Sequence, residues 1–224
     1  RFKDIDSYLT NDMAPAVKGA YTFSELKERV MGQYELEYLK YEKGLLRADG
    51  KPGFNTTTGK IELYSTMLAA LGEDPLPYYM EPKYSAISRP DLAKEYPLIL
   101  TTGARRFTSF HSEHRMIKTL REIHPWPTVQ INPKTAAENG IIDGSWVIIE
   151  NPWGKAKMRA KVTPIVKENV ISADHGWWYP EKGPEDLYDV WGPSINSLIP
   201  NKENGKLGFG THFKSMPCKI YPAN

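Results

Sequence analysis

The feature that most constrains the fold is a run of alternating residues between positions 146 and 162. The stretch WVIIE leads into NPWG, whose Asn, Pro and Gly are typical of a tight turn. The returning segment puts two kinds of residue on opposite faces: Lys155, Lys157, Arg159 and Lys161 against Ala156, Met158, Ala160 and Val162. This period of two predicts a hairpin with one buried and one solvated face, and therefore a β-rich core.

Other segments of the same region extend this pattern. Short apolar runs at 98–100, 129–131, 169–174 and 218–221 predict four more strands. Apolar residues at helical spacing predict a helix over 112–123 with Ser112 as its N-cap, and Asn132 followed by Pro133 predicts a second helix that ends before Gly140. A strand-rich domain with two short helices favours a barrel or a compact α+β sheet over a doubly wound fold.

The first 95 residues have a different character. Thr22 and Glu25 are spaced for a capping box at the start of a short helix. The stretch IELYSTMLAALG, residues 61–72, predicts another helix that Gly72 terminates. Prolines then recur up to residue 97, which predicts an extended connector. We place a domain boundary near residue 95, between an irregular, helical segment (1–95) and a strand-rich domain (96–224).

Composition excludes several classes of protein. The chain has 224 residues, 40% of them hydrophobic, which is enough for a core. Its single cysteine, Cys218, excludes disulfide scaffolds, Cys-rich zinc sites and Fe–S clusters within this chain, and we interpret it as a buried small residue. No apolar run approaches the length of a membrane span, so direct membrane insertion is not expected. The chain starts at Arg1 without a signal peptide, and we expect it to be a piece of a longer protein.

The stretch LILTTGARR, residues 98–106, is the first candidate for a ligand site. Gly103 follows a predicted strand, where a glycine permits close approach of a ligand to the backbone. Arg105 and Arg106 are suited to bidentate contacts with phosphate. The alternative is an ordinary turn with solvated arginines, since one glycine does not make a phosphate-binding loop.

The stretch HSEHR, residues 111–115, offers a second candidate. His111, Glu113 and His114 make a metal site conceivable, but the spacing is not that of H-E-x-x-H and no third ligand follows. We therefore predict no metal ligand in this chain. Hydrogen bonding of His111 and Ser112 to an anionic ligand at the start of a helix is the preferred interpretation.

The stretch DHGWW, residues 174–178, ends a predicted strand. Gly176 would admit a ligand to the backbone, and Trp177 or Trp178 would stack on a flat heterocycle, whereas the alternative is two packing tryptophans beside a satisfied His175. Two later polar loops add Asn196, with both a donor and an acceptor, and Lys214. No G-x-S-x-G and no G-x-G-x-x-G after a strand is present, so neither a serine hydrolase nor a Rossmann site is expected.

An ordered set of these stretches resembles a known family. The set comprises TGKIELYS (58–65), YPLILTTGARR (96–106), HSEHR (111–115), INPKTAAENGIIDGSWVIIEN (131–151), DHGWW (174–178), Asn196 with Leu198, and GTHFKSMPCKI (210–220). It is similar to the C-terminal region of the catalytic subunits of molybdenum or tungsten bis-pterin oxidoreductases, the dimethyl sulfoxide reductase superfamily. That region ends in a molybdopterin dinucleotide-binding domain.

The resemblance implies a fold and a cofactor. The fold would be mainly β with short helices: a six-stranded double-psi β-barrel preceded by an irregular, helical segment. The cofactor would be molybdopterin guanine dinucleotide, two per Mo or W in the intact enzyme. The family's Fe–S cluster and its protein ligand to the metal would come from upstream domains of the same subunit, so the isolated chain would be inactive.

The resemblance also implies a biological setting. Family members act on small substrates, and bacterial, anaerobic metabolism and a separate Fe–S electron-transfer subunit as partner are expected. The compartment, the substrate and the choice between Mo and W stay open.

The same resemblance carries over a set of cofactor-binding residues, matched by residue type and order. Phe213 stands where the family usually has Tyr. The set is Thr102, Gly103, Arg105, His111, Ser112, Asn132, His175, Gly176, Trp177, Asn196, Phe213 and Lys214. No catalytic residue is assigned.

Two alternatives to an oxidoreductase remain at this stage. One is a non-catalytic double-psi β-barrel that binds a protein partner and needs no pterin. The other is a nucleic-acid-binding β module that uses the basic face of the predicted hairpin. The net charge of only +2 argues against nucleic acid, and a solvated hairpin face explains the basic residues more simply.

Overall fold

The computed structural model describes residues 2–13, 19–33, 36–201, 210 and 214–223. The chain divides into two compact units, Arg1–Tyr78 and Tyr79–Asn224. The boundary predicted near residue 95 marks the start of the cofactor-binding domain rather than of a compact unit. That boundary stays a prediction. Within the described ranges, no helix has both the length and the apolar character needed to cross a membrane.

The first unit contains three short helices, α1 (Ile5–Met13), α2 (Phe23–Arg29) and α3 (Thr66–Ala70). The predicted capping box at the start of α2 is confirmed, because the Thr22 side chain accepts from the Glu25 amide and the Glu25 carboxylate accepts from the Thr22 amide. A 2.7 Å ion pair between Lys27 and Asp6 joins α2 to α1.

Helix α3 is much shorter than the predicted helix over 61–72. The Glu62 carboxylate accepts hydrogen bonds from Thr58 on one side and from Thr66 on the other, which holds residues 58–65 in a turn. Ser65 then caps α3 by accepting from the amide of Leu68. Side-chain hydrogen bonds to the local backbone thus win over helical periodicity here.

The second unit is a closed barrel of six strands with few short helices, which confirms the predicted mainly β barrel. Its elements are α4 (Pro90–Glu95), β1 (Leu98–Thr102), α5 (Lys118–Ile123), β2 (Thr128–Ile131), α6 (Pro133–Glu138), β3 (Trp146–Asn151), β4 (Gly154–Val162), β5 (Val170–Ala173) and β6 (Met216–Pro222), with 3₁₀ turns at Pro180–Lys182, Leu187–Asp189 and Ile195–Leu198. Around the barrel the order is β1-β5-β2-β4-β3-β6. The double-psi designation stays a prediction.

The barrel interior is filled by alternate residues of the strands. In β4 the predicted faces are confirmed: Ala156, Met158 and Ala160 are buried, while Lys155, Lys157 and Lys161 are exposed. Leu100, Ile149 and Ile171 are among the largest fully buried side chains. Each apolar side chain of this size contributes roughly 1.5–3 kcal/mol when it leaves water, so the core rather than the loops stabilises this unit.

The helices of the barrel follow the prediction only in part. Helix α6 begins as expected, with the Asn132 side chain accepting from the amide of Lys134 and with Pro133 in the first turn. Helix α5 begins at Lys118 and not at residue 112, so Ser112 is not its N-cap. His111 and His114 both have positive φ, at 51° and 72°, which no α-helix accommodates.

Strand directions bring distant loops to one end of the barrel. β1 and β5 are parallel, with Thr102 opposite Ala173, and β6 runs antiparallel to β1. β2 is antiparallel to β5, β4 is parallel to β2, and β3 is antiparallel to β4. The ends of β1, β3 and β5 and the starts of β2, β4 and β6 therefore share one end, which we call the Thr102 end.

Candidate functional site

Lys214 and Thr102 open the site at the Thr102 end. The Lys214 ammonium donates a 2.8 Å hydrogen bond to the carbonyl oxygen of Thr102. Thr102 is 7% exposed, and its hydroxyl has no partner. Gly103 has a φ of +86°, and among the described residues a Cβ added there would meet only the Lys214 Nζ, at 3.7 Å. Within the part of the chain that the structure describes, the backbone at Gly103 is thus uncovered beside a cation, which suits close approach by an anionic group.

The two arginines that follow differ in environment. Arg105 is exposed, with its guanidinium 5.5 Å from the centre of the Phe110 ring. Arg106 is held by a 2.7 Å contact between its Nε and Asp174 Oδ1, and its Nη2 is buried without a partner. The nearby hydroxyl of Thr108 is also buried and unpartnered. Arg105 keeps its donors free for a ligand, whereas Arg106 is partly committed to the protein.

Asp174 organises this end of the barrel, although the sequence did not single it out. Its carboxylate is 3% exposed and accepts from Arg106 Nε, from His124 Nε2 at 2.7 Å and from the amide and hydroxyl of Thr128. Burial raises the pKa of Asp174, but the hydrogen bond from His124, the charge of Arg106 and the Thr128 amide outweigh it and lower the pKa to about 2. The sequence signal was an acidic residue directly after a buried strand.

His111 and His175 meet across the site. His111 Nδ1 lies 3.1 Å from His175 Nε2, so one ring donates to the other. Burial and the neighbouring His111 lower the pKa of His175, which favours its neutral form. The structure thus brings together two predicted site residues that are 64 positions apart in sequence.

Gly176 lies against the loop that carries His111 and Ser112. A Cβ added there would lie 2.9 Å from the carbonyl carbon of His111 and 3.0 Å from the amide nitrogen of Ser112. The Cβ side of Gly176 therefore faces the chain's own loop, and contact between its backbone and a ligand stays a prediction. Trp178 Nε1 donates to the Ser112 carbonyl oxygen at 2.6 Å and holds that loop from the other side.

Trp177 is buried, with 2% exposure. The guanidinium groups of Arg115 and Arg121 lie 4.1 and 5.1 Å from its ring centre. This environment leaves no open face for stacking on a flat ligand, so that part of the expectation is wrong for Trp177. The indole N–H of Trp177 is buried and has no hydrogen-bond partner. Trp178, by contrast, is half-buried and lines an apolar cavity together with Met116.

Asn132 and Asn196 occupy opposite ends of the barrel. Asn132 follows β2, which runs antiparallel to β5, so it lies about 10 Å, or three strand residues, from the Thr102 end. Both ends of its amide are used within the chain, by the Lys134 amide and the Val166 carbonyl. Asn196 is exposed on a 3₁₀ turn at the Thr102 end, where Asn151 Nδ2 donates to the carbonyl of Leu198 at 2.7 Å.

The remaining predicted residue, Phe213, lies outside the described residues. Of the others, all but Asn132 belong to the Thr102 end. Across the described ranges, no group of three or more His, Cys, Asp or Glu side chains is arranged to hold a metal ion.

The donor set at the Thr102 end fits a phosphorylated heterocyclic cofactor. Buried polar atoms of Thr102, Thr108 and Arg106 lack partners, and Arg105 is an exposed cation beside them. Buried polar groups are almost always hydrogen-bonded, so three unpartnered groups within the seven residues 102–108 indicate that this segment binds a ligand or water. Cations suit phosphate oxygens, and hydroxyl and amide groups suit the edges of a pterin or purine.

Comparison with known proteins decides the family. Residues 98–217 match the family described as "Molydopterin dinucleotide binding domain". The chain belongs to this family. The match starts at β1 and ends within β6, so it covers β1 to β5 and the start of β6.

Curated relatives place the chain in the dimethyl sulfoxide reductase superfamily. The chain is 41% identical over 202 residues to dopamine dehydroxylase from Eggerthella lenta, a match that covers 88% of this chain and 19% of that protein. It is 44% identical over 171 residues to acetylene hydratase from Syntrophotalea acetylenica, a match that covers 69% of this chain and 23% of that protein. Dimethyl sulfoxide reductase from Escherichia coli is 35% identical to the chain over 137 residues, a match that covers 55% of this chain and 16% of that protein.

A solved structure supports the fold. The structure of acetylene hydratase from Pelobacter acetylenicus matches with a TM-score of 0.80 and 30% identity, covering 99% of this chain and 30% of that one. The chain thus spans about a fifth of the length of the first curated relatives it matches.

Proposed function

We propose that the chain is the cofactor-binding, C-terminal part of a molybdenum or tungsten oxidoreductase and binds molybdopterin guanine dinucleotide at the Thr102 end. The observation that carries this proposal is the segment 102–108, which directly follows β1 and combines buried unpartnered polar atoms of Thr102, Arg106 and Thr108 with the exposed Arg105. Family membership supports a molybdopterin cofactor. The guanine form, and two cofactors per metal ion, belong to the proposal.

The residues of the Thr102 end would share the work of binding. Arg105 and Lys214 would contact phosphate oxygens, and the open backbone at Gly103 would let the cofactor lie close to β1. His111, oriented by its contact with His175, and the exposed amide of Asn196 would bind polar ring edges. Asn132 is the exception, because its amide is occupied at the other end of the barrel.

The bound cofactor would supply two-electron chemistry at its metal, and this chain would bind and orient it and exclude water from it. We propose that the metal's protein ligand and an Fe–S cluster come from upstream domains, so the isolated chain is inactive. A separate Fe–S subunit would exchange electrons. The relatives' names include a dehydroxylase, a hydratase and a reductase, which supports a small substrate without fixing which one.

The test uses the longest natural protein that contains this sequence. After acid hydrolysis, released GMP is quantified together with Mo and W, and we expect close to two GMP per metal ion. The double variant Arg105→Gln, Lys214→Gln should retain less than a tenth of that GMP. Lys167→Gln is the matched control, because Lys167 is exposed in the β4–β5 connection, away from the Thr102 end.

Two results would reject the proposal. One is an intact protein that contains neither GMP nor metal, which would favour a non-catalytic barrel that binds a protein partner. The other is equal GMP retention in the double variant and in Lys167→Gln, which would place the cofactor elsewhere.

A further inference from the structure

Arg115 is a buried cation without an ion pair. It is 5% exposed, and in the part of the chain that the structure describes no carboxylate lies within ion-pair distance of it. Its Nη2 donates only long hydrogen bonds, of 3.2 and 3.4 Å, to the carbonyl oxygens of His111 and His175. Its Nε is buried and has no partner. An uncompensated buried charge is strongly unfavourable, so a counter-anion is expected.

The nearest buried carboxylate does not meet this need. Asp174 attracts Arg115 electrostatically, but its oxygens already accept from Arg106, His124 and Thr128. A lone carboxylate that neutralises Arg106 leaves Arg115 without a neutralising partner of its own.

Arg121 adds a second cation to the same ring. Its guanidinium lies 5.1 Å from the centre of the Trp177 ring, against 4.1 Å for Arg115. Arg121 Nε donates to the Pro125 carbonyl and Nη2 to Glu181, whereas Nη1 is buried without a partner. Two guanidinium groups on one indole repel each other, and an additional negative charge between them would relieve that repulsion.

A cavity of about 450 Å³ opens beside both arginines. It is lined by Arg115, Met116, Lys118, Arg121, Pro180 and Glu181. Its charged lining is therefore three cations and one carboxylate, and the Glu181 side chain is 56% exposed. The lining carries a net positive charge, which suits an anion, with Glu181 as a competitor for Arg121.

We propose that this cavity is an oxyanion site in which Arg115 and Arg121 bind a phosphate group. Guanidinium groups present parallel N–H donors that match phosphate oxygens, and the Trp177 ring holds both planes in position. The phosphate would belong either to the bound cofactor or to a free phosphate or phosphomonoester. The proposal rests on the arginines and not on the proposed function, and the two can fail separately.

The experiment measures binding of inorganic phosphate by calorimetry to the intact protein in chloride buffer, with and without its cofactor. Arg121→Gln should weaken binding at least tenfold. Glu181→Gln should tighten it at least threefold, because Arg121 Nη2 loses its competing partner. Lys167→Gln, which removes the same charge far from the cavity, should change affinity less than twofold. Arg115→Gln is not used as the main test because burial makes misfolding a competing explanation.

The outcomes separate the two sources of phosphate. Binding only to the cofactor-free protein assigns the site to a phosphate of the cofactor, and binding to both forms assigns it to a free oxyanion. Failure to bind phosphate in both forms, or equal affinities for Arg121→Gln and Lys167→Gln, would overturn the proposal. A protein without GMP that still binds phosphate in this pattern would reject only the proposed function.

Discussion

The Lys214 ammonium is hydrogen-bonded to the carbonyl oxygen of Thr102, a residue 112 positions earlier in the chain. The hydrogen bond joins the residues just before β6 to the end of β1, and these two strands are neighbours in the barrel. It also fixes a cation against the backbone where the candidate site opens.

Removing this hydrogen bond is expected to weaken the barrel modestly. Lys214→Met keeps most of the side-chain stem but removes the donor and the charge, and should lower the free energy of unfolding by about 1 kcal/mol. Urea denaturation measures the loss. Lys167→Met, the control, should change it by less than half as much, and equal losses would show that the Lys214 contact contributes nothing specific.

The contact between Gly176 and the His111 loop gives a sharper prediction. Gly176 and Gly140 have nearly the same φ, +62° and +64°, but an added Cβ has neighbours within 4 Å only at Gly176. Gly140→Ala should therefore cost roughly 1–2 kcal/mol for the left-handed backbone alone. Gly176→Ala should cost about 1–3 kcal/mol more, because the His111–Ser112 backbone must shift.

Unfolding of both alanine variants in urea makes this comparison directly. Because the backbone penalty is common to the two, their difference isolates the loop contact. Indistinguishable losses would mean that the loop moves away freely and that Gly176 does not position His111.

Asp174 predicts a specific dependence of stability on pH. Its pKa in the folded protein is about 2, against an ordinary value of 3.8. A lowered folded pKa gives stability that is complete above the unfolded pKa and is lost as the pH falls, here between about 4 and 2, in an amount of about 2 kcal/mol. Urea midpoints measured from pH 5 to pH 2 should show this loss.

The variant Asp174→Asn should lack that component of the acid dependence. It should also lower stability at pH 7 by roughly 3 kcal/mol, because the half-buried Arg106 would lose the buried carboxylate that is its counter-charge. Asp91→Asn is the contrast: the pKa of Asp91 is also about 2, but its side chain is 61% exposed, so we expect little change. If the urea midpoint of Asp174→Asn fell with pH as steeply as that of the parent protein, the prediction would be contradicted.

Cys218 provides a probe of barrel opening. It is fully buried in β6 opposite Leu98, and burial raises the pKa of its thiol. Since the thiolate is the reactive form, iodoacetamide should not label Cys218 in the folded protein at pH 8. Labelling, followed by mass spectrometry of its peptide, should rise only at urea concentrations that unfold the barrel. Rapid labelling without urea would show that β6 detaches locally.

The strands were predictable because alternation in sequence maps directly onto the two faces of a strand. The β4 pattern from Lys155 to Val162 gave the buried and exposed faces correctly, and Asn132 with Pro133 gave the start of α6. The α3 and α5 predictions were too long because side-chain bonds of Glu62, and the positive φ of His111 and His114, override local periodicity.

The site was predictable as a set of loops but not as a set of contacts. Sequence order cannot tell that Gly176 meets His111, that Trp177 is covered by two arginines, or that Asp174 binds Arg106 and His124. These relations arise from the order of strands around the barrel. For the same reason Asn132, which directly follows a strand as Gly103 does, lies at the other end.

The parallel pairing of β1 with β5, and the return of β6 beside β1, also govern when the site forms during folding. Residues near 102, 174 and 214 become neighbours only after long stretches of chain have been closed into loops, which costs entropy before any contact compensates it. The Lys214–Thr102 contact forms only when the segment that leads into β6 lies beside the end of β1. A ligand bound at this end would therefore bind only the closed barrel and stabilise it relative to partly folded states.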